Sequence, residues 1–347
     1  MLLQSIKSVF SKRAKSRVKL ALGVHPTMRL LRGIESSDAV IDSASRRLCD
    51  QYSREVLGGR EYALWLYVYT AIAGEFKEGW IPDNYYADHV IPAWKGNYGE
   101  VSSLNALQCL IGIGFFPDLL YRVNGICMLP DRQVISAQQA LEILSANESG
   151  LVFKADGGMQ GRSVMILRKG DVRQLDLRSL PDGVFQRFIL QHPDLARFHP
   201  RSVATLRLTT VIGLCGQESL RAAYVRFGSG QDGHVKSASH LRVPVDLSTG
   251  LLSETGYTTS WCRINRHPDT LEVFGGSGIP GFAEAVDLVL RAQREMPFAR
   301  CIGWDVAVDS SGKPHILEWN GGHNDIKFSE ATMGPCFADL GWESLWR

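Results

Sequence analysis

Hydrophobic positions recur at two different periods along this chain, and the change from one to the other divides it. Up to about residue 150 the apolar residues fall three and four apart, the spacing of helices with one buried face. The stretches "DAVIDSASRRLCDQYSREVLGG" (38–59) and "REYALWLYVYTAIAGEF" (60–76) read as helices. "GWIPDNYYADHVIPAWKGNYG" (79–99), broken by Pro and Gly, reads as a junction, and "SSLNALQCLIGIGFFPDLLYRVNG" (102–125) as a helix followed by a short strand. "SAQQALEILSANESG" (136–150) has a complete set of helix signals: Ser136 to cap it, Gln139 three residues on, and Gly150 beyond its end. From Leu151 the period shortens to two. "LVFK" (151–154), "SVMILRKG" (163–170), "GVFQRFIL" (183–190), "SVATLRLTTVIGL" (202–214) and "LRAAYVRFG" (220–228) predict strands. A helix over 281–296 then precedes a last hairpin, "GWDVAVDSSGKPHILEWN" (303–320).

That hairpin carries the chemistry. A turn at Ser311-Gly312 puts Asp305 opposite Glu318, Gly303 opposite Asn320 and Ala307 opposite Ile316. Trp304, Val306, Val308, Leu317 and Trp319 then share an apolar face, while Asp305, Glu318 and Asn320 gather on the other. Two carboxylates roughly 5 Å apart across a ladder repel one another. A proton, a cationic side chain or a metal must relieve them. An all-oxygen donor set suits Mg2+. The plainer alternative is a hairpin whose outer face is simply polar.

The loop "ADGGMQGR" (155–162) follows the strand ending at Lys154. Its glycines allow backbone N–H groups to approach phosphates closely, and Lys154 adds a point charge. "GGMQGRS" lacks the Lys of a Walker loop and runs into the strand-like "VMIL"; no helix follows, as a dinucleotide fingerprint requires, and the kinase strings HRD and DFG do not occur. What remains is a strand–glycine loop–strand flap, or an ordinary glycine-rich hairpin loop.

Composition narrows the rest. With 347 residues, two or three lobes are expected, and a net charge of +2 argues against a dedicated nucleic-acid binder. Seven scattered cysteines without a CxxC favour free thiols in a reducing cytoplasm. Residues 1–34 depart from the average: they carry eight Lys and Arg and no acid, with Leu2, Leu3, Ile6, Val9 and Phe10 near helical spacing. This stretch reads either as a peripheral contact with an anionic membrane at the inner face, or as a solvated helix packed on the body. No apolar run reaches the ~20 residues that span a bilayer.

A Lys-preceded glycine flap followed by Asp-x12-Glu-x-Asn resembles the ATP-grasp superfamily, and more closely the sugar-transfer associated ATP-grasp subgroup, related to α-L-glutamate ligases. The stretches 185–211, 265–282 and 301–325 carry the closer match. The resemblance implies an α+β fold in which ATP is held between two lobes with antiparallel sheets. These would be a glycine-loop lobe (136–190) and a C-terminal lobe (191–347), preceded by an N-terminal helical extension (1–80) and a small α/β lobe (81–135). It implies that Lys154 and the loop bearing Gly157, Gly158, Gly161 and Ser163 cover the phosphates. Gln186, Arg187, Phe188 and Ile189 would form the hinge, with backbone groups of Arg187 and Ile189 on adenine. Asp194 is the ribose candidate, with a plain turn residue as the alternative. Arg207 would bind the γ-phosphate, and Asp305, Glu318 and Asn320 would hold one or two Mg2+ ions. His240, Arg242 and His323 are candidate substrate contacts, with Arg263 and Arg266 nearby in sequence. The chain departs from many relatives at Asn105, where they carry a phosphate-contacting Lys; Lys95 is the closest lysine.

The activity implied is ATP- and Mg-dependent ligation of a carboxylate to an amine through an acylphosphate. The subgroup's association with polysaccharide biosynthesis points to a uronic acid, a glycan intermediate or an amino acid as substrate. Phosphotransfer to a hydroxyl or a histidine on the same fold, and a noncatalytic nucleotide-binding module, are the alternatives.

Overall fold

The computed structural model describes residues 26–36, 40–157, 164–172, 174–230 and 239–347. Leu2 to Phe10 and the first six of the basic residues therefore lie outside the described residues, as do Gly158, Gly161 and Ser163. Residues 26–35 are helical.

The chain divides into two compact units. The first takes in the described residues up to Val90, residues 260–262 and the C-terminal stretch from Ile326. It is helical, built on Ser43–Glu55, Ala63–Ala73 and Lys327–Met333. Asp42 caps the first of these by accepting from Ser45 N, and Gly74, in the left-handed region at φ 86°, ends the second. Glu330 is buried within this unit; its carboxylate accepts from the backbone N–H of Ile81 and of Cys336.

The second unit, 91–259 with 263–325, holds two antiparallel sheets. The smaller has six strands: β1 (Asp118–Val123), β2 (Ile126–Met128), β3 (Val134–Ile135), β4 (Leu151–Ala155), β5 (Val164–Leu167) and β6 (Gly183–Arg187), in the order β3-β2-β1-β6-β4-β5. Strands from both 81–135 and 136–190 join in it. Leu120, Leu151, Phe153 and Phe185 pack with Ala140 and Leu144 of the helix Ala137–Ser145. That helix starts with the expected capping box of Ser136 and Gln139.

The larger sheet contains β7 (Thr205–Ile212), β8 (Glu218–Phe227), β9 (Leu241–Pro244), β10 (Gly256–Tyr257), β11 (Arg263–Ile264), β12 (Cys301–Val308) and β13 (Pro314–Asn320). Their order is β11-β10-β9-β8-β7-β12-β13. One face is apolar: Leu206, Leu208, Val225, Phe227, Val243, Val306 and Ile316 pack with Ala285, Leu288, Val289 and Ala292 of the helix Phe282–Glu295. Removing each large side chain from water contributes about 1.5–3 kcal/mol, so this face fixes the register. Everything on alternate positions is thereby turned to the opposite face, where the polar residues collect. The α+β class and the paired antiparallel sheets are those expected. The helix expected at the start of 102–125 is instead 3-10 in character, with Asn105–Leu110 following a first such segment, Gly96–Ser103.

Candidate functional site

The β12–β13 ribbon forms with Asp305 opposite Glu318 and Gly303 opposite Asn320, as the spacing predicts. Nearer the turn the register differs. Three residues, 310–312, close the hairpin, with Asp309 N donating to Lys313 O, so Ala307 faces His315 and Ile316 faces Val306. A bulge at Leu317 absorbs the offset and restores the Asp305–Glu318 pairing.

Asp305 is 2% exposed and its charge is met by guanidinium groups. Arg207, its partner on β7, donates from Nε to Oδ1 at 2.6 Å and from Nη2 to Oδ2 at 3.1 Å. Arg226 of β8 adds a third contact, Nη2 to Oδ2 at 2.5 Å. Burial alone would raise the Asp305 pKa, but the two arginines overcome it and hold the carboxyl well below the usual range. Glu318, open to solvent yet crowded by protein atoms, is shifted the other way by desolvation and then by Asp305. Asn320 Nδ2 donates to Gly303 O at 3.2 Å and points towards Asp305 Oδ2 at 3.5 Å. The three oxygen-bearing side chains are therefore gathered in one patch. Of the three expected remedies for carboxylate repulsion, cationic side chains serve Asp305 here. Among the described residues no group of three or more His, Cys, Asp and Glu is disposed to hold a metal.

The bulge has a second effect: it turns the Leu317 carbonyl towards the smaller sheet. Lys154 Nζ donates to it at 2.9 Å and Gln186 Nε2 at 3.2 Å. Gln186 also donates to Asp118 at 2.7 Å, whose other oxygen accepts from Tyr121 Oη at 2.5 Å. Burial pushes Asp118 up to about 6. Lys154 thus lies across the carboxylate ribbon, whereas the Gln186 side chain is a buried strut between the sheets.

The other expected residues divide. Gly157 has φ 68° and donates its N–H to Ser103 O at 3.0 Å. Asn105 anchors the entry to the glycine loop: its N–H donates to Asp156 Oδ1 at 2.8 Å and its Nδ2 to Ala155 O at 3.1 Å. In the hinge, the Arg187 N–H is already spent on Pro117 O at 2.9 Å, and Phe188 N donates to Gly150 O at 3.3 Å. Ile189 is buried. Asp194 is exposed in the single helical turn Pro193–Ala196 and lies 3.7 Å from His192 Nδ1. The buried Arg207 is committed to Asp305 and, through Nη1, to Asn324 O at 3.0 Å. Arg242 is buried on β9, His240 is half-buried just before it, and His323 is exposed, accepting from Asp325 N at 3.3 Å. Arg263 and Arg266 are exposed.

Three residues take roles that were not foreseen. Arg226 reads in sequence as a solvated strand residue, and Asp118 as a strand boundary. Lys95 is 2% exposed, donates to Gly322 O at 2.6 Å and Asn324 Oδ1 at 3.2 Å, and is pulled down to about 8 by burial. It pins the segment following β13. Close packing there also fixes Gly99, where a Cβ would lie 2.2 Å from Gly321 O.

An α+β unit with two antiparallel sheets, Lys154 near the end of β4 in one and a carboxylate ribbon in the other, defines the class of fold. Residues 177–335, a little under half of the chain, match the family described as sugar-transfer associated ATP-grasp, and the resemblance carried by the motifs holds over that segment. No curated protein matches the sequence. Among solved structures, the ATP-grasp ligase PsnB complexed with a phosphomimetic variant of its minimal precursor, Mg and ADP is similar at 13% identity. That match covers 88% of this chain and 73% of that one, with a TM-score of 0.41. The D-cycloserine synthetase DcsG is similar at 14% identity, 70% and 71% coverage and a TM-score of 0.40. The biotin carboxylase domain of the Hydrogenobacter thermophilus 2-oxoglutarate carboxylase gives 12% identity, 70% and 45% coverage and a TM-score of 0.42. The chain thus spans about half the length of that carboxylase domain. At these identities the likeness concerns the fold alone. No helix among the described residues is long and apolar enough to cross a membrane.

Proposed function

We propose that the chain is an ATP- and Mg-dependent carboxylate–amine ligase that works through an acylphosphate, on a uronic acid, glycan intermediate or amino acid in polysaccharide or related biosynthesis. The observation that carries this reading is the β12–β13 pair: a buried, arginine-neutralised Asp305 beside a solvent-open Glu318, with Lys154 laid across the same ribbon.

The donor set fits a magnesium ion. Glu318 is a carboxylate whose ionised form is disfavoured by desolvation and by Asp305, so an added cation there stabilises it. Asn320 engages its neighbours through Nδ2, leaving the amide oxygen as a donor of the type magnesium prefers. The ion, when bound, supplies charge neutralisation for the transferring phosphoryl group. Arg207 and Arg226 keep Asp305 ionised and fixed in orientation. Lys154 has three N–H donors, one directed at Leu317 O, and so can turn the others to phosphate oxygens. The exposed Gly157 begins the loop that would cover them.

In the reaction, a substrate carboxylate oxygen bonds to the γ-phosphorus as the bond to the ADP oxygen breaks. The amine nitrogen then bonds to the acyl carbon, phosphate leaves, and the nitrogen gives its proton to solvent. The work required of the protein is positioning and charge balance, which needs no Ser, Cys or His nucleophile. A cytoplasmic setting agrees with seven free cysteines, and the basic residues before position 26 suit an anionic membrane face.

The test is ADP release with Mg, ATP and panels of acids and amines. Amine-dependent turnover is expected from the wild type and absent from Asp305→Ala combined with Glu318→Ala. Unchanged turnover in that variant overturns the proposal. A stable phosphorylated product without need of amine replaces it with phosphotransfer.

A further inference from the structure

A buried lysine outside both sheets is bonded into the charges of the carboxylate ribbon. Lys95 follows the helical turn Ile91–Trp94 and is 2% exposed. Lysine is rarely buried so completely unless its ammonium makes specific bonds. Its Nζ donates to Gly322 O at 2.6 Å and to Asn324 Oδ1 at 3.2 Å. Asn324 is itself buried; its Nδ2 donates to Cys301 Sγ at 3.2 Å, and its backbone carbonyl accepts from Arg207 Nη1 at 3.0 Å. Arg207 in turn gives Nε and Nη2 to Asp305. Lys95, Asn324, Arg207 and Asp305 thus form one continuous buried series of bonds.

Two glycines let these groups approach. At Gly303 on β12 a Cβ would lie 3.0 Å from the Asn324 Cβ and 3.1 Å from Arg207 Nη1. At Gly321 a Cβ would lie 2.6 Å from the Trp319 ring and 2.9 Å from Gly99 O. The segment leaving β13 is therefore pressed onto β12 and residue 99, and Lys95 ties it down. A guanidinium is planar, so a bond at Nη1 fixes the rotation of the fork that Nε and Nη2 present to Asp305. We propose that Lys95 is a positioning residue for the metal-binding ribbon: through Asn324 it fixes the plane of Arg207, and so the direction in which Asp305 presents its carboxylate. This rests on the ligase reading and adds to it a residue that acts on the site only through others.

The test is NMR of the full chain carrying isotope-labelled arginine, with the Nε–H signals of Arg207 and Arg122 assigned from Arg207→Lys and Arg122→Lys. Arg122, in the smaller sheet, donates from Nε to Leu177 O at 2.6 Å and is the internal control. In Lys95→Met the Arg207 Nε–H is expected to exchange with solvent at least ~10-fold faster than in wild type, with Arg122 unchanged. Asn324→Ala keeps the carbonyl that Arg207 uses and should have the same effect; the double variant should be no worse than the more affected single one. It also decides the matter if melting curves show that Lys95→Met does not fold. Calorimetric titration of AMP-PNP should find the Mg2+-dependent affinity of Lys95→Met at least ~10-fold weaker, and affinity without Mg2+ within about twofold of wild type. The proposal is overturned if Arg207 exchanges as in wild type in the folded variants, if Arg122 accelerates equally, or if Mg2+-dependent binding is unaltered. If wild type binds AMP-PNP without regard to Mg2+, the ligase reading fails; accelerated exchange at Arg207 alone then keeps the control of Arg207 by Lys95, and unchanged exchange removes it as well.

Discussion

Asp305 and Glu318 are the same chemical group in two electrostatic settings, and substitution separates their roles. Asp305 is ion-paired with two guanidinium groups in a buried position. Asp305→Asn strands both, and is expected to cost roughly 3–5 kcal/mol, read as a lowered denaturation midpoint. Glu318 has no comparable pairing and is held above its ordinary range by desolvation and by Asp305. The folded chain therefore keeps the Glu318 proton to higher pH than the unfolded chain, so ionisation of Glu318 costs stability as pH rises past the ordinary carboxylate range. Glu318→Gln should remove that cost. Without nucleotide or metal its melting temperature at pH 7.5 is expected to equal or exceed that of wild type, while amine-dependent ADP release falls at least ~100-fold. A Glu318→Gln protein that is both destabilised and active would contradict the assignment. These two residues are legible in the sequence because carboxylates interrupt strand-like apolar runs. Arg226 is not, because an arginine in "YVRFG" has the signature of any solvated strand residue until β8 is laid beside β7.

At the scale of elements, local signals were sufficient where one motif specifies one geometry. Ser136 and Gln139 form the capping box that their spacing demands, and Ser136→Ala should cost about 1 kcal/mol by urea denaturation. The hairpin was legible at its far end but not near its turn. A three-residue closure and a bulge at Leu317 have offsetting effects on register, and neither a closing residue nor a bulged leucine has a distinctive identity. The bulge nonetheless aims the carbonyl that Lys154 and Gln186 share. Gly183 governs the other side of that contact: a Cβ there would lie 2.2 Å from Lys154 O and 2.9 Å from the Ala155 Cα. Gly183→Ala must push β6 from β4 and displace Lys154. The expected result is a loss of about 1–3 kcal/mol together with a raised KM for ATP. Unchanged stability and KM would show that Lys154 does not depend on this approach. The 3-10 segments at 96–110 were missed because their apolar spacing imitates a helix, while Gly96 takes a positive φ of 52° and Gly99 packs against the Gly321 backbone instead.

For the whole molecule, the two periods of hydrophobicity separated a helix-rich beginning from a β-rich remainder but set the change too late, since β1, β2 and β3 precede residue 150. They did not show that residues 326–347 return to the unit containing the N-terminal helices, because such packing depends on buried groups far apart in sequence. Glu330 is one: it bonds to the Ile81 and Cys336 N–H groups, and burial pushes its carboxyl up to about 7 from the ordinary 4.5. Its proton is held more tightly in the folded chain, so this unit should lose stability as pH rises from about 4.5 through about 7. Tryptophan-monitored melting is expected to show that decline in wild type and a flatter profile in Glu330→Gln; parallel profiles would contradict it. The central claim, that the carboxylate ribbon binds a metal-associated triphosphate beneath Lys154, has its most direct test in calorimetric titration of AMP-PNP with and without Mg2+. Wild type is expected to bind with affinity that depends on Mg2+, and Glu318→Gln to lose that dependence while remaining folded. Equal, metal-independent binding by both proteins would contradict the account.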